Sequence, residues 1–372
     1  MGQAAAGLAA AMGVGRFAFT PILPLMTAGS ALTASQGAAL ATANYGGYLA
    51  GAVAGIAAPD LIRQRRTLRG ALLALTTTLA LMPLAHAVVT WAVLRFLAGA
   101  ASALVFMAAA AALFAHLSSR RAYLTGWGFG GVGAGIATSG LAVLAVGQVS
   151  SWQAAWWVTA GLAALFTFGA WNLEPEGPHH THSTTDYRPP DRLRFTTLTM
   201  SYTLEGIGYI IAGTFLVAAV DDSASRSTGA FTWVVVGLAA TPSAAIWTWL
   251  SVKFSQLILL PAALALQAIG VLLPALSDGI AAAVVSAVLF GSTFIGISTL
   301  CLSIGNRLRV PRAVAILTTG YSLGQILGPL AVTPLLSGGY RTALIIGAAV
   351  ILAAAMTSTA LRDPSCRPTH TP

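Results

Sequence analysis

The sequence carries very little charge for its length. Only 8% of its 372 residues are Asp, Glu, Lys or Arg, whereas 56% are hydrophobic. Soluble globular proteins contain about 25% charged residues, which help to cover the surface that faces water. With so few charges and a mean hydropathy of +0.79, the composition excludes a soluble enzyme, a secreted domain and a nucleic-acid-binding protein. It predicts an all-α polytopic membrane protein.

Cysteine is also scarce, and motifs for catalysis or metal binding are missing. The two cysteines, Cys301 and Cys366, lie far apart and in no metal-ligand spacing, so we expect no disulfide framework and no zinc site. There is no Walker A run, no HExxH and no GxSxG, which argues against an ATP-driven pump and a membrane hydrolase. The histidines at 179–182 lie in a polar stretch and are not expected to bind metal. We therefore expect neither an enzyme nor a cofactor.

Long apolar stretches are abundant instead. A helix needs about 20 apolar residues to cross the ~30 Å hydrocarbon core of a bilayer. Twelve stretches meet this requirement, and we number them as spans 1 to 12: 4–26, 37–58, 68–87, 89–115, 122–147, 152–172, 195–220, 229–250, 256–276, 279–303, 313–336 and 340–361. The one long connection is polar and rich in proline. We therefore predict a six-helix bundle at 1–172, a cytoplasmic linker at 173–194 and a second six-helix bundle at 195–372.

The basic residues are distributed unevenly over the two sides that these spans define. Fifteen of the 19 basic residues follow the even-numbered spans: Arg63, Arg65, Arg66, Arg69, Arg120, Arg121, Arg188, Arg192, Arg194, Lys253, Arg307, Arg309, Arg312, Arg362 and Arg367. Only Arg226 and Arg341 fall in loops on the other side. Because Lys and Arg concentrate in cytoplasmic loops, both termini are predicted to be cytoplasmic. The net charge of +9 then reflects topology and requires no nucleic acid.

The two halves repeat a glycine pattern. Glycines at 13 and 15 in span 1 recur after 193 residues at 206 and 208 in span 7. The glycine-rich segment 126–130 in span 5 recurs after 194 residues at 320–324 in span 11. Two helix pairs with nearly the same offset indicate duplicated six-helix bundles. That arrangement places a substrate site between the halves near the membrane midplane.

Four segments resemble one transporter family: 13–26 (GVGRFAFTPILPLM), 43–48 (ANYGGY), 202–216 (YTLEGIGYIIAGTFL) and 324–329 (GQILGP). They resemble the YbfB/YjiJ branch of the major facilitator superfamily. The resemblance implies the major-facilitator fold of twelve helices, alternating access, and a central cavity lined by helices 1, 4, 7 and 10. It also implies a monomer in the bacterial inner membrane that carries a small-molecule solute.

Two weaker features resemble marks of the whole superfamily. Arg95 in span 4 looks like the arginine motif of helix 4. Asp60 and Arg63 look like a degraded form of the Asp/Arg loop after helix 2, which implies a gating role for them. The corresponding loop around Lys253 lacks the motif.

Three charged residues lie inside the spans and away from their ends: Arg16, Arg95 and Glu205. Each costs about 2.5–3.5 kcal/mol at mid-span, so each needs a reason to be there. Arg16 and Glu205 lie at similar depths near the midplane, as judged from a rise of about 1.5 Å per residue. All three fall on spans that the resemblance assigns to the cavity.

We consider two roles for Glu205 and for each arginine. Glu205 either binds the coupling proton or forms a static pair with Arg16 across the two halves. The first role is possible because burial and a neighbouring arginine have opposite effects on the proton affinity of a carboxyl group. Arg16 binds an anionic group of the solute or partners Glu205. Arg95 is more simply a donor to backbone carbonyls than a substrate ligand. Pro21 and Pro24 are expected to loosen the outer half of span 1.

Several polar residues are secondary candidates. Asn44 and Tyr45 either line the cavity or hydrogen-bond to a neighbouring helix. Tyr202 and Tyr209 share the helix face of Glu205, where they stack on a ligand or pack in the core. Close packing and a bend between the halves, rather than binding, are expected of four residues in span 11: Gly324, Gln325, Gly328 and Pro329.

These observations predict a secondary active transporter that moves a small organic solute by alternating access and is coupled to protons through Glu205. The direction of transport stays open. The alternative is a non-transporting membrane sensor or accessory protein that retains the facilitator fold. In that protein, Arg16 and Glu205 would form a permanent lock.

Overall fold

The computed structural model describes residues 1–30, 32–117, 122–147, 151–175, 191–223, 226–310 and 313–361. These residues form twelve long helices, which we number α1 to α12, and they contain no strand. The histidines at 179–182 and Cys366 lie outside the described residues. So do six of the basic residues counted above: Arg120, Arg121, Arg188, Arg312, Arg362 and Arg367.

The first half contains six helices: α1 (Gly2–Gly29), α2 (Ala34–Ala57), α3 (Arg65–Leu84), α4 (Val88–Leu117), α5 (Ala122–Gly147) and α6 (Trp152–Ala170). A short surface helix, Pro59–Arg63, connects α2 to α3. A capping box at Thr33 and Gln36 starts α2 and satisfies free backbone groups of its first turn.

The second half contains six more helices: α7 (Arg192–Ser223), α8 (Arg226–Lys253), α9 (Gln256–Leu276), α10 (Ile280–Arg307), α11 (Ala313–Val332) and α12 (Arg341–Thr359). A 3₁₀ segment, Thr333–Gly338, follows α11. All twelve predicted spans are therefore helices. An even number of crossings places Gly2 and Thr359 on the same side, which we call the terminal side.

Nine of the described helices are long and apolar enough to cross a membrane. The other three, α2, α6 and α11, contain more glycine, polar residues or tryptophan. α2 and α11 pack against each other across the two halves. Asn44 of α2 and Ser322 and Gln325 of α11 are fully buried, so these polar side chains face protein instead of lipid. Small and polar residues are favoured at such contacts between helices.

Glycines in α5 allow close contact with helices of both halves. A Cβ atom on Gly131 would lie 2.7 Å from the backbone of Ala5 in α1, and one on Gly133 would lie 2.7 Å from the carbonyl oxygen of Gly237 in α8. Real Cβ atoms do not approach so closely, so these positions require glycine. Glycine-rich α5 thus lies between α1 of its own half and α8 of the other.

Polar contacts fix the terminal-side end of α6. Arg65, at the start of α3, pairs with Glu174, and Arg69 donates to the carbonyl oxygen of Trp171 at 3.0 Å. α7 begins at Arg192, three residues before its predicted start. Most of the predicted linker, residues 176–190, lies outside the described residues.

Candidate functional site

Helix α1 is irregular in its middle. Residues Ala9–Val14 form a π-helix, and the amide of Phe17 donates to the carbonyl oxygen of Met12 at 3.2 Å. Regular α-helix resumes over Phe19–Gly29. The prediction that the outer half is loosened is therefore wrong, because the irregular stretch precedes Pro21. A proline ring collides with the carbonyl four residues earlier, here that of Phe17, so the distortion falls on the N-terminal side.

Arg95 of α4 binds the backbone of this irregular stretch. Its side chain is 1% exposed. Its two terminal nitrogens donate to the carbonyl oxygens of Gly15, at 3.0 Å, and Arg16, at 3.1 Å. The Ser102 hydroxyl donates to the carbonyl oxygen of Ala11 at 2.8 Å. These donors satisfy carbonyls inside the membrane, where unpaired polar groups are costly. This geometry favours the structural role for Arg95.

The Arg16 side chain points from α1 into the space between the halves. It is 3% exposed, and its guanidinium donates to the side-chain oxygen of Gln325 in α11. The guanidinium carbon lies 4.4 Å from the ring centre of Tyr48 and 5.0 Å from that of Tyr45. Aromatic faces attract a desolvated cation. Arg16 is therefore held by one amide and by aromatic rings.

Glu205 lies elsewhere, inside the second half. It is fully buried, and neither carboxylate oxygen has a hydrogen bond of ordinary geometry. Its side chain interacts with Gln267 of α9. Among the described residues, no ion pair joins Arg16 to Glu205. The static Arg16–Glu205 pair, one of the two roles considered for Glu205, is therefore not formed in this conformation.

A cavity of about 450 Å³ lies between the two halves. Arg16 and Gln325 line its deep end. Gln256 and Asn306 line it at the terminal side, where α9 begins and α10 ends. The cavity therefore extends from the terminal side to the middle of the bundle. Its volume is typical of small-molecule sites, about 300–1,000 Å³.

Aromatic rings form the walls of this cavity. In the second half, the ring of Tyr321 stacks on Tyr202, with 4.4 Å between ring centres, and on Tyr209, with 5.5 Å. In the first half, Phe106 and Phe129 pack at 6.2 Å. All five residues line the cavity. Tyr202 and Tyr209 thus line the cavity and also pack in the buried core, so both roles considered for them stay open.

The halves are in contact beyond Arg16, toward the side opposite the termini. The Thr20 hydroxyl donates to the carbonyl oxygen of Gly213, and the Tyr45 hydroxyl lies 2.9 Å from that of Thr214. Thr20 and Gly213 are 193 residues apart, which is the offset of the repeat, so their hydrogen bond joins equivalent positions of the two halves. On this side, Ala38 of the first half is buried in an apolar cluster with five residues of the second half: Ile211, Phe215, Val332, Leu336 and Ala343.

The remaining candidates lie away from the cavity. The Asn44 amide donates to the carbonyl oxygen of Arg95 at 2.8 Å, so it joins α2 to α4. Asp60 and Arg63 are exposed on the short surface helix, and within the described part of the chain no ion pair or hydrogen bond of their side chains is present. The structure thus offers no visible latch at these two residues.

The span 11 residues divide into packing and cavity positions. A Cβ atom on Gly324 would lie 3.0 Å from the Ile207 amide nitrogen, and one on Gly328 would lie 2.6 Å from the Ile207 carbonyl oxygen. These glycines serve close packing, and Pro329 lies in the same helix. The packing-only prediction is wrong for Gln325, because it contacts Arg16 and lines the cavity.

Sequence reasoning missed five aromatic cavity residues: Tyr48, Phe106, Phe129, Phe294 and Tyr321. Single aromatic residues in apolar spans carry no distinguishing signal. Gln325 was detectable through the repeat, because its equivalent 194 residues earlier is Gly131. A polar side chain at a position where the other half has glycine indicates a specialised role.

Comparison with known proteins identifies a family and a fold. The family model described as "Uncharacterised MFS-type transporter YbfB" matches residues 8–359. The crystal structure of a mutant of the nucleoside transporter NupG superposes with a TM-score of 0.72 and 13% identity, covering 97% of this chain and 100% of that chain. At that identity the similarity shows the fold alone. A search of curated proteins finds no match. The predicted major-facilitator fold is thereby confirmed.

Proposed function

The chain belongs to this YbfB-type family of major facilitator transporters, and we propose that it moves a small organic solute across the bacterial inner membrane, coupled to protons. The observation that carries the proposal is the cavity between the halves, which reaches the terminal side and is closed toward the other. Alternating access requires such a site, accessible from one side at a time. One chain supplies the whole cavity, which supports a functional monomer.

The contacts between the halves favour a transporter over a sensor. A permanent Arg16–Glu205 lock is the hallmark of the sensor hypothesis, and the described residues do not form it. The hydrogen bonds that do cross between the halves on the closed side use the hydroxyls of Thr20 and Tyr45. Water can replace hydroxyl partners when the halves separate, so these bonds are suited to a reversible gate.

Glu205 is our candidate for the coupling proton. A charged carboxylate that is buried in a membrane protein without an ionic partner is costly. A proton on Glu205 removes that charge in the present conformation. Glu205 lies one helical turn from Tyr202, which lines the cavity. Water that reaches this turn in another conformation would allow the proton to leave.

The test of coupling uses purified protein in proteoliposomes. Solutes that raise the unfolding temperature are first found by a thermal-shift screen, and their accumulation is then measured with and without an imposed pH gradient. We expect Glu205→Gln to bind the solute but to lose gradient-driven accumulation. Ser286→Ala is the matched control, because Ser286 is also buried in the second half with an unpaired side chain but does not titrate.

Two results would contradict the proposal in different ways. Gradient-driven accumulation by Glu205→Gln at the wild-type level would exclude Glu205 as the coupling site. Absence of flux for every solute that binds, together with a cysteine introduced on the closed side that never reacts with impermeant thiol reagents, would favour the sensor. Sidedness of the same reagents also tests the cytoplasmic location of the termini, which the basic residues predict.

A further inference from the structure

We propose that the cavity binds a planar aromatic carboxylate, with the carboxylate at Arg16 and Gln325 and the ring between the aromatic walls. This inference deepens the proposed function, because the bound anion would be the transported solute. It rests on the charge at the cavity surface, the free hydrogen-bonding atoms at its deep end and the shape of its walls.

The cavity surface is positive at its deep end. Among the described residues that line it, Arg16 is the only charged one. The embedded carboxyl group of Glu205 is not part of the lining and interacts with Gln267 of α9. The positive charge of Arg16 therefore has no counter-charge within ion-pair distance in the described part of the chain. An anionic ligand would supply one inside a region where an unpaired charge is costly.

The free hydrogen-bonding atoms at this end are donors. Nε of Arg16 and Nε2 of Gln325 are both buried without a partner. The orientation of the Gln325 amide follows from its contact, because Oε1 accepts a hydrogen bond from Arg16 and Nε2 must then be the free atom. Among the described residues, no side chain of the lining leaves a buried acceptor unpaired. A free N–H of the guanidinium and a free amide N–H beside it match the acceptor oxygens of a carboxylate.

The walls favour a flat ring. The rings of Tyr202 and Tyr209 lie within about 15° of parallel to that of Tyr321, so the second half presents stacked aromatic surface. Phe106 and Phe129 line the cavity from the first half. Aromatic groups pack on one another in offset-stacked or edge-to-face arrangements. The volume of about 450 Å³ accommodates a fused two-ring compound.

The experiment measures binding of four related probes to the full-length purified protein by calorimetry: 2-naphthoate, its neutral amide, its saturated decalin carboxylate and 2-naphthylmethylammonium. We expect 2-naphthoate to bind about 10- to 100-fold more tightly than the amide, because the amide lacks the negative charge and one of the two acceptor oxygens of the carboxylate. The saturated acid should bind more weakly than 2-naphthoate, and the cation should not bind.

Variants locate the binding site. Gln325→Leu and Arg16→Gln should each weaken 2-naphthoate binding about 10-fold or more and leave amide binding nearly unchanged. Tyr321→Leu should weaken binding of both aromatic probes, and it keeps the inference testable if Arg16→Gln does not fold. Ser286→Ala, which lies outside the cavity lining, should bind like the wild type.

The outcomes separate this inference from the proposed function. Equal binding of the acid and amide, tighter binding of the cation, unchanged binding by Arg16→Gln and Gln325→Leu, or no binding of 2-naphthoate would each overturn it. Binding of 2-naphthoate without flux of any aromatic carboxylate in proteoliposomes would support the binding site but contradict transport. Flux of other solutes without 2-naphthoate binding would support transport and overturn the inference.

Discussion

Removing the two hydroxyls that join the halves should open the closed side. The double variant Thr20→Val and Tyr45→Phe removes one hydroxyl from each contact and preserves the shape of both side chains. It leaves no partner stranded at the second contact, because the Thr214 hydroxyl also donates to the carbonyl oxygen of Ile210 at 2.7 Å. The variant therefore weakens only the conformation in which the halves touch here.

The magnitude follows from the number of bonds. A neutral hydrogen bond contributes about 0.5–1.5 kcal/mol net, because water takes its place when it breaks. Two such bonds contribute about 1–3 kcal/mol. The fraction of molecules in which the normally closed side is open should therefore rise about 5- to 150-fold. The 5- to 150-fold increase applies as long as molecules in this open conformation remain a small fraction of the total.

Alkylation of a single cysteine measures the change. Cys301 and Cys366 are replaced by alanine, and Ala38→Cys places the reporter in the apolar cluster, where Ala38 is 0% exposed. A membrane-impermeant maleimide applied from that side reacts only when the cluster opens. The reaction rate is then proportional to the open population.

A control inside one half separates gating from general loosening. Thr76 and Thr167 form a hydroxyl contact of 3.2 Å between α3 and α6, so Thr76→Val removes the same kind of bond without touching the interface between the halves. We expect its alkylation rate to match the parent. Equal rates for the double variant and the parent would refute the role of these hydroxyls in closing the gate.

Two further predictions concern stability. Arg95→Met should lower the unfolding temperature in detergent, because the carbonyls of Gly15 and Arg16 lose their donors at a cost of about 1–3 kcal/mol each. An unchanged unfolding temperature would contradict the structural role of Arg95. Gly133→Ala should reduce folded yield, judged by size-exclusion chromatography, because its Cβ would overlap the α8 backbone, whereas Gly161→Ala should have no effect because nothing lies within 4 Å of its Cβ.

The number and depth of the helices could be predicted from sequence because bilayer thickness imposes them. The spans at 68–87 and 256–276 are the least distinct in sequence, yet both are helices, Arg65–Leu84 and Gln256–Leu276. Each embedded charge could also be recognised, since a charge at mid-span always requires a partner or a function. Depth along a helix is a count of residues, and a sequence supplies that count directly.

The direction in which a side chain points around the helix axis could not be predicted in the same way. At 3.6 residues per turn, Glu205 is rotated by about 40° from Tyr209 and about 60° from Tyr202. Both tyrosines line the cavity, whereas Glu205 interacts with Gln267 of α9. A turn of this size is smaller than the width of an ordinary helix face. The alternative in which Glu205 pairs with Arg16 therefore fails, although the two residues lie at similar depths.

The repeat shows how the two halves have diverged around the cavity. At the offset of 193 residues, Arg16 of α1 corresponds to Tyr209 of α7, and Glu205 corresponds to Met12. At the first of these positions the first half places a charged side chain, Arg16, in the cavity lining and the second half places the ring of Tyr209 there. At the other position the carboxyl group of Glu205 is not part of the lining. Under the proposed function, solute and proton occupy separate sites that do not compete for one ion pair. Because α7 carries both Tyr209 and Glu205, any movement of this helix against the cavity acts on both sites, and α7 is the element through which they would be coupled.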